Sequence, residues 1–418
     1  MTVDRAGLAL SSDLCCLRLR FSACLLDRSR PLAEMARSLC VVLAVLCSVC
    51  FVTLSFASSL PSNVNVIASN YTWAENLHFS ADGTKLFTTE LATGTVYMIS
   101  PDGAGGFNKT QWLSDPAIGG LLGLASDPNS DTMFSVGHGI DASGAAINLV
   151  LTFSASEPGV WKQIAETPKK GNGLMYHAAS DCLYTTSEGN FLPGDGSLYR
   201  VNVSTGNVTE IVVKPAASLG EHDEIDWDSS RIKQVREKLR AKHGAAHVAA
   251  FDAQLAAHFS GMLSVREASV SNLWGADGLW LDEAASVLYV GELFTGKVWS
   301  LSLPSETPLG VVASIAGLEW ITLLDDFTLS AGGSGDQLVA ANWGNSSVTV
   351  TSLGSSSPSN ASTMLAGLNN PTSARWGPRN SSVFASSSLF VSEGKNLFAW
   401  QHDCRILEIT NATDMMRQ

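Results

Sequence analysis

The sequence predicts an all-β chain closed into a six-bladed β-propeller, and three observations carry that prediction. Residues 277–303 (DGLWLDEAASVLYVGELFTGKVWSLSL) read as three short strands joined by two tight turns. A meander this short cannot bury its apolar faces alone, so it predicts neighbours built the same way. Five further segments repeat its grammar, starting at Glu75, Leu122, Asn172, Asp325 and Asn370. Together with Asp277 these leading residues recur at about 45–50 residues, except for one gap of about 105, which is the period of a four-stranded propeller blade.

Taken in order, the chain begins with residues 1–34, which hold Cys15, Cys16, Cys24 and several arginines without periodicity. They read as an extension that forms no part of the fold. Met35-Ala36-Arg37-Ser38 then precedes an apolar run over 39–56 and the small residues Ala57-Ser58-Ser59. A charged start, an apolar stretch and a small-residue end make a secretory signal over 35–59. The same 18 residues, 39–56, are just long enough to span a bilayer as an uncleaved anchor. Either reading places the domain, residues 60–418, outside the cytosol, in the secretory lumen or the extracellular space.

Eight N-x-S/T sequons, at Asn70, Asn108, Asn202, Asn207, Asn345, Asn360, Asn380 and Asn411, all follow that leader. They predict a glycoprotein carrying N-linked glycans. The net charge of −13 excludes a nucleic-acid partner, because phosphate binding needs a basic face. Contact with a membrane is expected only if 39–56 stays uncleaved. Six of the eight cysteines precede residue 51, leaving Cys182 and Cys404 in blades three and six, too far apart across a propeller for a bridge.

The first blade is read from 75–100, the second from 122–153, and the third from 172–203 with 208–213 as its outer strand. The long gap that follows holds one insertion, 214–270. Its start is acidic; 232–242 and 245–259 then read as helices rich in Ala, Leu, Lys and Arg. Val248, Phe251, Leu255 and Phe259 form an apolar stripe at helical spacing. That stripe covers either the central channel, as a lid, or the blade rim. Blades four, five and six then run from 277, 325 and 370 to the C-terminus.

Each innermost strand starts at one mouth of the central channel, so the six leading residues converge there. Five of the six bear oxygen, and three are carboxylates. Crowded acids repel and rise in pKa, and a divalent cation relieves that. Oxygen-only donors suit calcium before magnesium. The expected metal ligands are Glu75, Asn172, Asp277, Asp325 and Asn370. The competing account is that Asp and Asn at strand starts simply make turns. The turn after each second strand offers a second ring: Glu90, His138, Glu188, Glu292, Asn342-Trp343 and Glu393. His138 lies between glycines in VGHG and is a candidate general base. The candidate catalytic residues are thus Asp325, His138 and Glu75. His78 and His177 read as packing residues. No GxSxG elbow and no HExxH occurs.

The first blade, AENLHFSADGTKLFTTELATGTVYMISPDG, resembles the opening blade of the senescence-marker/gluconolactonase (regucalcin-like) propellers. NGLMYHAASDCLYTT and ADGLWLDEAASVLYVGELFTGKVW resemble later blades of that group. The group is related more distantly to strictosidine-synthase-like proteins and paraoxonases. The resemblance implies calcium in the channel and hydrolysis of a lactone or similar ester taken up there as a small molecule. By position, Glu75 matches that group's first-blade Glu and Asn172 its third-blade Asn. Asp325 matches its usual Asp, and Asp277 falls where many members have Asn. Asn76-Leu77 stands where Gly-Pro normally follows the Glu. The other function the sequence allows is a non-catalytic extracellular propeller that binds a partner and uses calcium structurally.

Overall fold

Runs rich in Val, Leu, Thr and aromatic residues, each three to nine residues long and cut by Gly, Asp and Ser turns, pair antiparallel with the next run in the chain. The result is six sheets of four strands each. The computed structural model describes residues 60–189, 195–213, 273, 275–293, 295–314, 323–330, 337–344, 346–353, 362–394 and 404–416. They fall within one compact unit, 58–233 with 253–418. The expected leader and the expected helical insertion lie outside the described residues. Among the described residues no helix is long and apolar enough to cross a membrane.

The inner strands of blades one to six are Ala74–Phe79, Ile118–Ser126, Leu174–His177, Ala276–Asp282, Leu324–Leu329 and Pro371–Trp376. Each inner strand touches the next, and the sixth touches the first, so the ring closes. Six apolar clusters fill the six gaps between adjacent blades. Between blades six and one, for example, Phe79 meets Phe384 and Phe390 edge-on, at 5.0 and 5.4 Å between ring centres. Trp280 is half-buried between blades, against the clusters on both sides of blade four. Burying such rings stabilises each interface by about 1.5–3 kcal/mol per large side chain.

Closure departs from the expected chain order in one respect. Blade six takes its outermost strand from the start of the domain: Val64–Tyr71 pairs with Cys404–Ile409, from Val64 opposite Ile409 to Tyr71 opposite Cys404. The last blade is therefore completed by the first strand, which ties the two ends of the domain together. Cys182 and Cys404 are both buried.

The inner strands begin on one face, called upper here, and the second strands end on it. The turns from first to second strand and from third to fourth strand lie on the opposite, lower face. One irregularity repeats at the upper end of every blade. Two residues of the inner strand stand opposite one residue of the second strand. The pairs are Glu75-Asn76 against Thr89, Leu122-Gly123 against Val136, and Asn172-Gly173 against Thr186. Blades four to six give Asp277-Gly278 against Gly291, Asp325-Asp326 against Ala341, and Thr372-Ser373 against Ser392. These are β-bulges, which bend a strand and re-aim its side chains.

The bulges also bring neighbouring inner strands unusually close. A Cβ added to Gly123, Gly173 or Gly278 would lie 2.2, 2.4 or 2.6 Å from the carbonyl oxygen of Asn172, Asp277 or Asp325 in the next blade. Hydroxyls clasp the same carbonyl level elsewhere. Thr89 donates to Leu122 O, Thr186 to Asp277 O, and Ser392 to Glu75 O at 2.5 Å. The bulge register also corrects the sixth leading residue. Thr372, not Asn370, occupies the position of Glu75 and Asp277. Asn370 lies two residues earlier, at a left-handed φ of 46°, where its carbonyl accepts from Gly394 N and its side chain accepts from Ser346 Oγ at 3.4 Å. Asn tolerates that conformation, which is the turn role weighed above.

Candidate functional site

Because each bulge sits at the channel mouth, its first residue belongs to one ring: Glu75, Leu122, Asn172, Asp277, Asp325 and Thr372. Glu75, Asn172 and Asp277 are buried, and Asp325 is half-buried. The acids sense one another across the ring. Burial, then the Glu188 carboxylate, pushes Glu75 up to about 8. Burial, then Glu188 and Glu75, holds Asp277 well above the usual carboxylate range. Burial, then Asp277 and Glu75, does the same to Asp325. Three ring carboxylates, from blades one, four and five, therefore lie within electrostatic reach of one another and of the half-buried Glu188 from blade three, and burial among like charges raises all three.

Two polar groups complete the cluster. Asn172 Nδ2 donates to Glu188 Oε1, fixing that carboxylate at the mouth. Lys170, two residues before Asn172, lowers Glu75 and Asp277 from nearby without forming an ion pair with either. The indole Nε1 of Trp73 also favours the charged Glu75, although it does not reach hydrogen-bond geometry with it. Thr372 is already committed, since its Oγ1 donates to the carbonyls of Ala74 and Glu75 at 3.0 and 2.9 Å.

The second bulge residues form a layer beneath. Asp326 pairs with Arg375 at 2.7 Å, both almost fully buried, and accepts from Ser373 Oγ at 2.7 Å and Asn76 Nδ2 at 3.3 Å. Arg375 also donates to Phe327 O at 2.9 Å and lies over the Trp280 ring at 5.5 Å. Burial, then the Arg375 charge, drives His78 down to about 4, so that ring is neutral, with Nδ1 3.0 Å from Phe79 O. Blades five, six and one thus place a buried polar plug, Asp326–Arg375 with Asn76 and Ser373, beneath the ring, whereas blades two to four contribute only Gly123, Gly173 and Gly278 at that level.

The expected second ring divides. Glu188 joins the acid cluster. Glu90 accepts from Thr72 N at 2.5 Å and from Thr93 Oγ1. Glu292 accepts from Thr295 Oγ1 at 2.5 Å. Glu393 takes Arg405 through Nε and a second nitrogen, at 2.6 and 3.0 Å, and Asn369 N at 2.9 Å. These three glutamates brace upper connections. His177 sits in a lower turn, with Nδ1 2.7 Å from Ser180 Oγ.

His138 lies at the upper end of blade two's second strand, opposite Gly120. Its ring occupies the space that side chains at Gly119 and Gly120 would fill, since a Cβ there would come within 2.9 and 2.5 Å of it. Its Nδ1 is buried without a hydrogen-bond partner. Burial and then Lys170 depress its pKa, so it is a neutral base at pH 7. Lys170 thereby links His138 electrostatically to the acid cluster.

For a metal, the donor chemistry and the present geometry point differently. Glu75, Asn172, Glu188, Asp277 and Asp325 are oxygen donors of the kind a hard cation takes. Yet among the described residues no three His, Cys, Asp or Glu side chains are drawn together closely enough to form a ready metal cage. The acids raise one another without converging on a point.

No protein-family profile matches the chain, and no curated protein matches it in sequence. Solved structures do match it in shape. A luciferin-regenerating enzyme superposes with a TM-score of 0.52 at 12% identity, over 83% of this chain and 94% of that one. A calcium-binding regucalcin from Agrobacterium tumefaciens superposes at 0.50 and 12% identity, over 82% and 92%. A gluconolactonase from Xanthomonas campestris gives 0.47 at 13% identity, over 83% and 89%. At such identities the likeness is one of fold.

Proposed function

We propose that this protein is a secreted, calcium-dependent hydrolase of a lactone or similar ester, working at the upper mouth of the channel. The observation behind the proposal is the ring of bulges, at which Glu75, Asp277 and Asp325 lie within electrostatic reach of one another and of the Asn172-bound Glu188. Three carboxylates held against their own repulsion suit a site that takes a cation. Glu75, Asn172, Asp277 and Asp325 are its proposed ligands. We add Glu188 to this set, because Asn172 holds it at the mouth, and leave Asn370 to its turn. Calcium bound there would polarise an ester carbonyl and offset the charge that develops on its oxygen.

The remaining roles fall to this chain's own groups. His138, neutral at pH 7, takes the proton from an attacking water. Asp325, the most accessible ring acid, orients that water, and Glu75 holds the cation side of the site. The buried Asp326–Arg375 pair lies beneath the mouth, and the small molecule is proposed to enter from above.

The resemblance of the blades and the shape likeness to the calcium-binding regucalcin support this reading. The leader and the sequons support secretion. The competing function is a non-catalytic extracellular propeller in which calcium at the same carboxylates is purely structural. A panel of lactones and aryl esters, assayed with calcium and with chelator, separates the two. Turnover that chelator abolishes and calcium restores supports the hydrolase. A calcium-dependent rise in Tm with no turnover on any substrate contradicts it.

A further inference from the structure

The sequons acquire positions once the chain is folded, and those positions are uneven. Six of the acceptor asparagines lie among the described residues. Asn108 is the second residue of the outer strand of blade one, at its lower end, opposite Ser100. Asn207 lies in the lower turn between the third and fourth strands of blade three, next to Val208–Glu210. Asn380 belongs to the lower connection of blade six, beside Ser381, whose Oγ donates to Gly83 O at 2.6 Å in the lower turn of blade one. Asn411 follows the lower end of Cys404–Ile409. All four are exposed.

Asn202 is also at the lower end of its strand, opposite Cys182, but its circumstances differ. It is half-buried, and its Oδ1 accepts from both Thr205 N and Thr205 Oγ1, at 2.9 and 2.8 Å. Asn70 is exposed at the upper end of the strand that closes blade six, on the outer rim. Among the described residues no acceptor lies on the upper connections around the acid cluster. Asn345 and Asn360 lie outside the described residues.

We infer that the lower face is the glycan-bearing face of this propeller, through Asn108, Asn207, Asn380 and Asn411, with Asn202 spared. The inference rests on the secretion proposed above. In each modification the side-chain Nδ2 forms a bond to the anomeric carbon of an oligosaccharide carried on a polyprenyl diphosphate. The anomeric C–O bond to the diphosphate breaks, the diphosphate leaves with the electron pair, and the amide gives up one proton. A folded chain tolerates the product only where the side chain has room in solvent, which the four exposed positions provide; Asn202 is half-buried, with its amide pinned through Oδ1 in the Thr205 turn.

The test uses the full chain in a secretory animal cell line, in two forms: with its own first 59 residues, and with those residues replaced by a secretion leader of known efficiency. Glycans are removed enzymatically in 18O water, which marks each former acceptor as labelled Asp, and peptides covering every sequon are mapped. The expected result for both forms is protein in the medium, labelled at Asn108, Asn207, Asn380 and Asn411 and unlabelled at Asn202. If only the form with the foreign leader is secreted and labelled at those four, the secretion reading fails while the face assignment holds. If that form reaches the medium with the four unlabelled, or with Asn202 labelled in place of Asn207, the face assignment is overturned.

Discussion

Replacing Glu75 by Gln should make the metal-free protein more stable, and more so as the pH rises. The Glu75 carboxyl is buried and pushed from an ordinary value of 4.5 up to about 8 by burial and by Glu188. The folded state therefore binds this proton more tightly than the unfolded state does. For a raised acid the sign is fixed: folding stability is lost as pH climbs from the unfolded value to the folded one. At 1.36 kcal/mol per unit, the penalty at pH 7 is about 3 kcal/mol, and near pH 4 it is close to zero. Glutamine carries no such penalty. Urea unfolding in chelator, followed at pH 4.5 and pH 7.5, should show Glu75→Gln level with wild type at the lower pH and about 2–4 kcal/mol more stable at the higher. Added calcium should stabilise wild type at pH 7.5 and the variant much less. Destabilisation of the variant by a similar amount at both pH values would refute the claim that Glu75 is held against like charges.

Other consequences can be checked on the same footing. Gly173→Ala places a Cβ 2.4 Å from Asp277 O, where backbone must move, so a loss of about 1–3 kcal/mol in denaturant unfolding is expected. The same change at the exposed Gly103, which has open space but a left-handed φ of 75°, should cost only about 1 kcal/mol. Arg375→Met leaves Asp326 buried without its cation and should cost about 3–5 kcal/mol, measured by thermal and urea unfolding; adding Asp326→Leu should recover part of that loss. If turnover is found, His138→Gln should lower kcat by about 100-fold or more while leaving calcium affinity intact, because its role is proton transfer.

How much of this was legible in the sequence depended on whether the signal was local. The blade repeat is local, since each meander carries its own alternation and turns, and five of the six leading residues fell in register. Blade six broke the pattern for two physical reasons. Its outer strand, Val64–Tyr71, has no partner nearby in the chain, so nothing local marks it as the closing strand. Asn370-Pro371 also looks like a strand start, whereas the asparagine is spent on a left-handed turn and the bulge begins at Thr372.

The plug beneath the mouth went unseen because strand alternation assigns consecutive residues to opposite faces. The bulge overrides that rule at Asp325-Asp326, where one acid meets Asp277 and Glu75 electrostatically and the other meets Arg375 directly. Lys170 carried no signal, since it lies in a loop beside Lys169, which is occupied by Asp195 at 2.7 Å. The second-ring glutamates did leave a clue. Glu90 and Glu292 both stand in ELxTG, and the Thr three residues on is the group that takes the carboxylate.

Calorimetric titration of calcium into the chelator-stripped protein at pH 7.5, alongside an Asp277→Asn/Asp325→Asn double variant that unfolds cooperatively, probes the mouth most directly. One calcium per wild-type chain, with proton release on binding and no heat above dilution for the double variant, is the expected result. Binding of equal strength in both proteins, or none in wild type, would show that the carboxylates gathered by the bulges do not hold a cation.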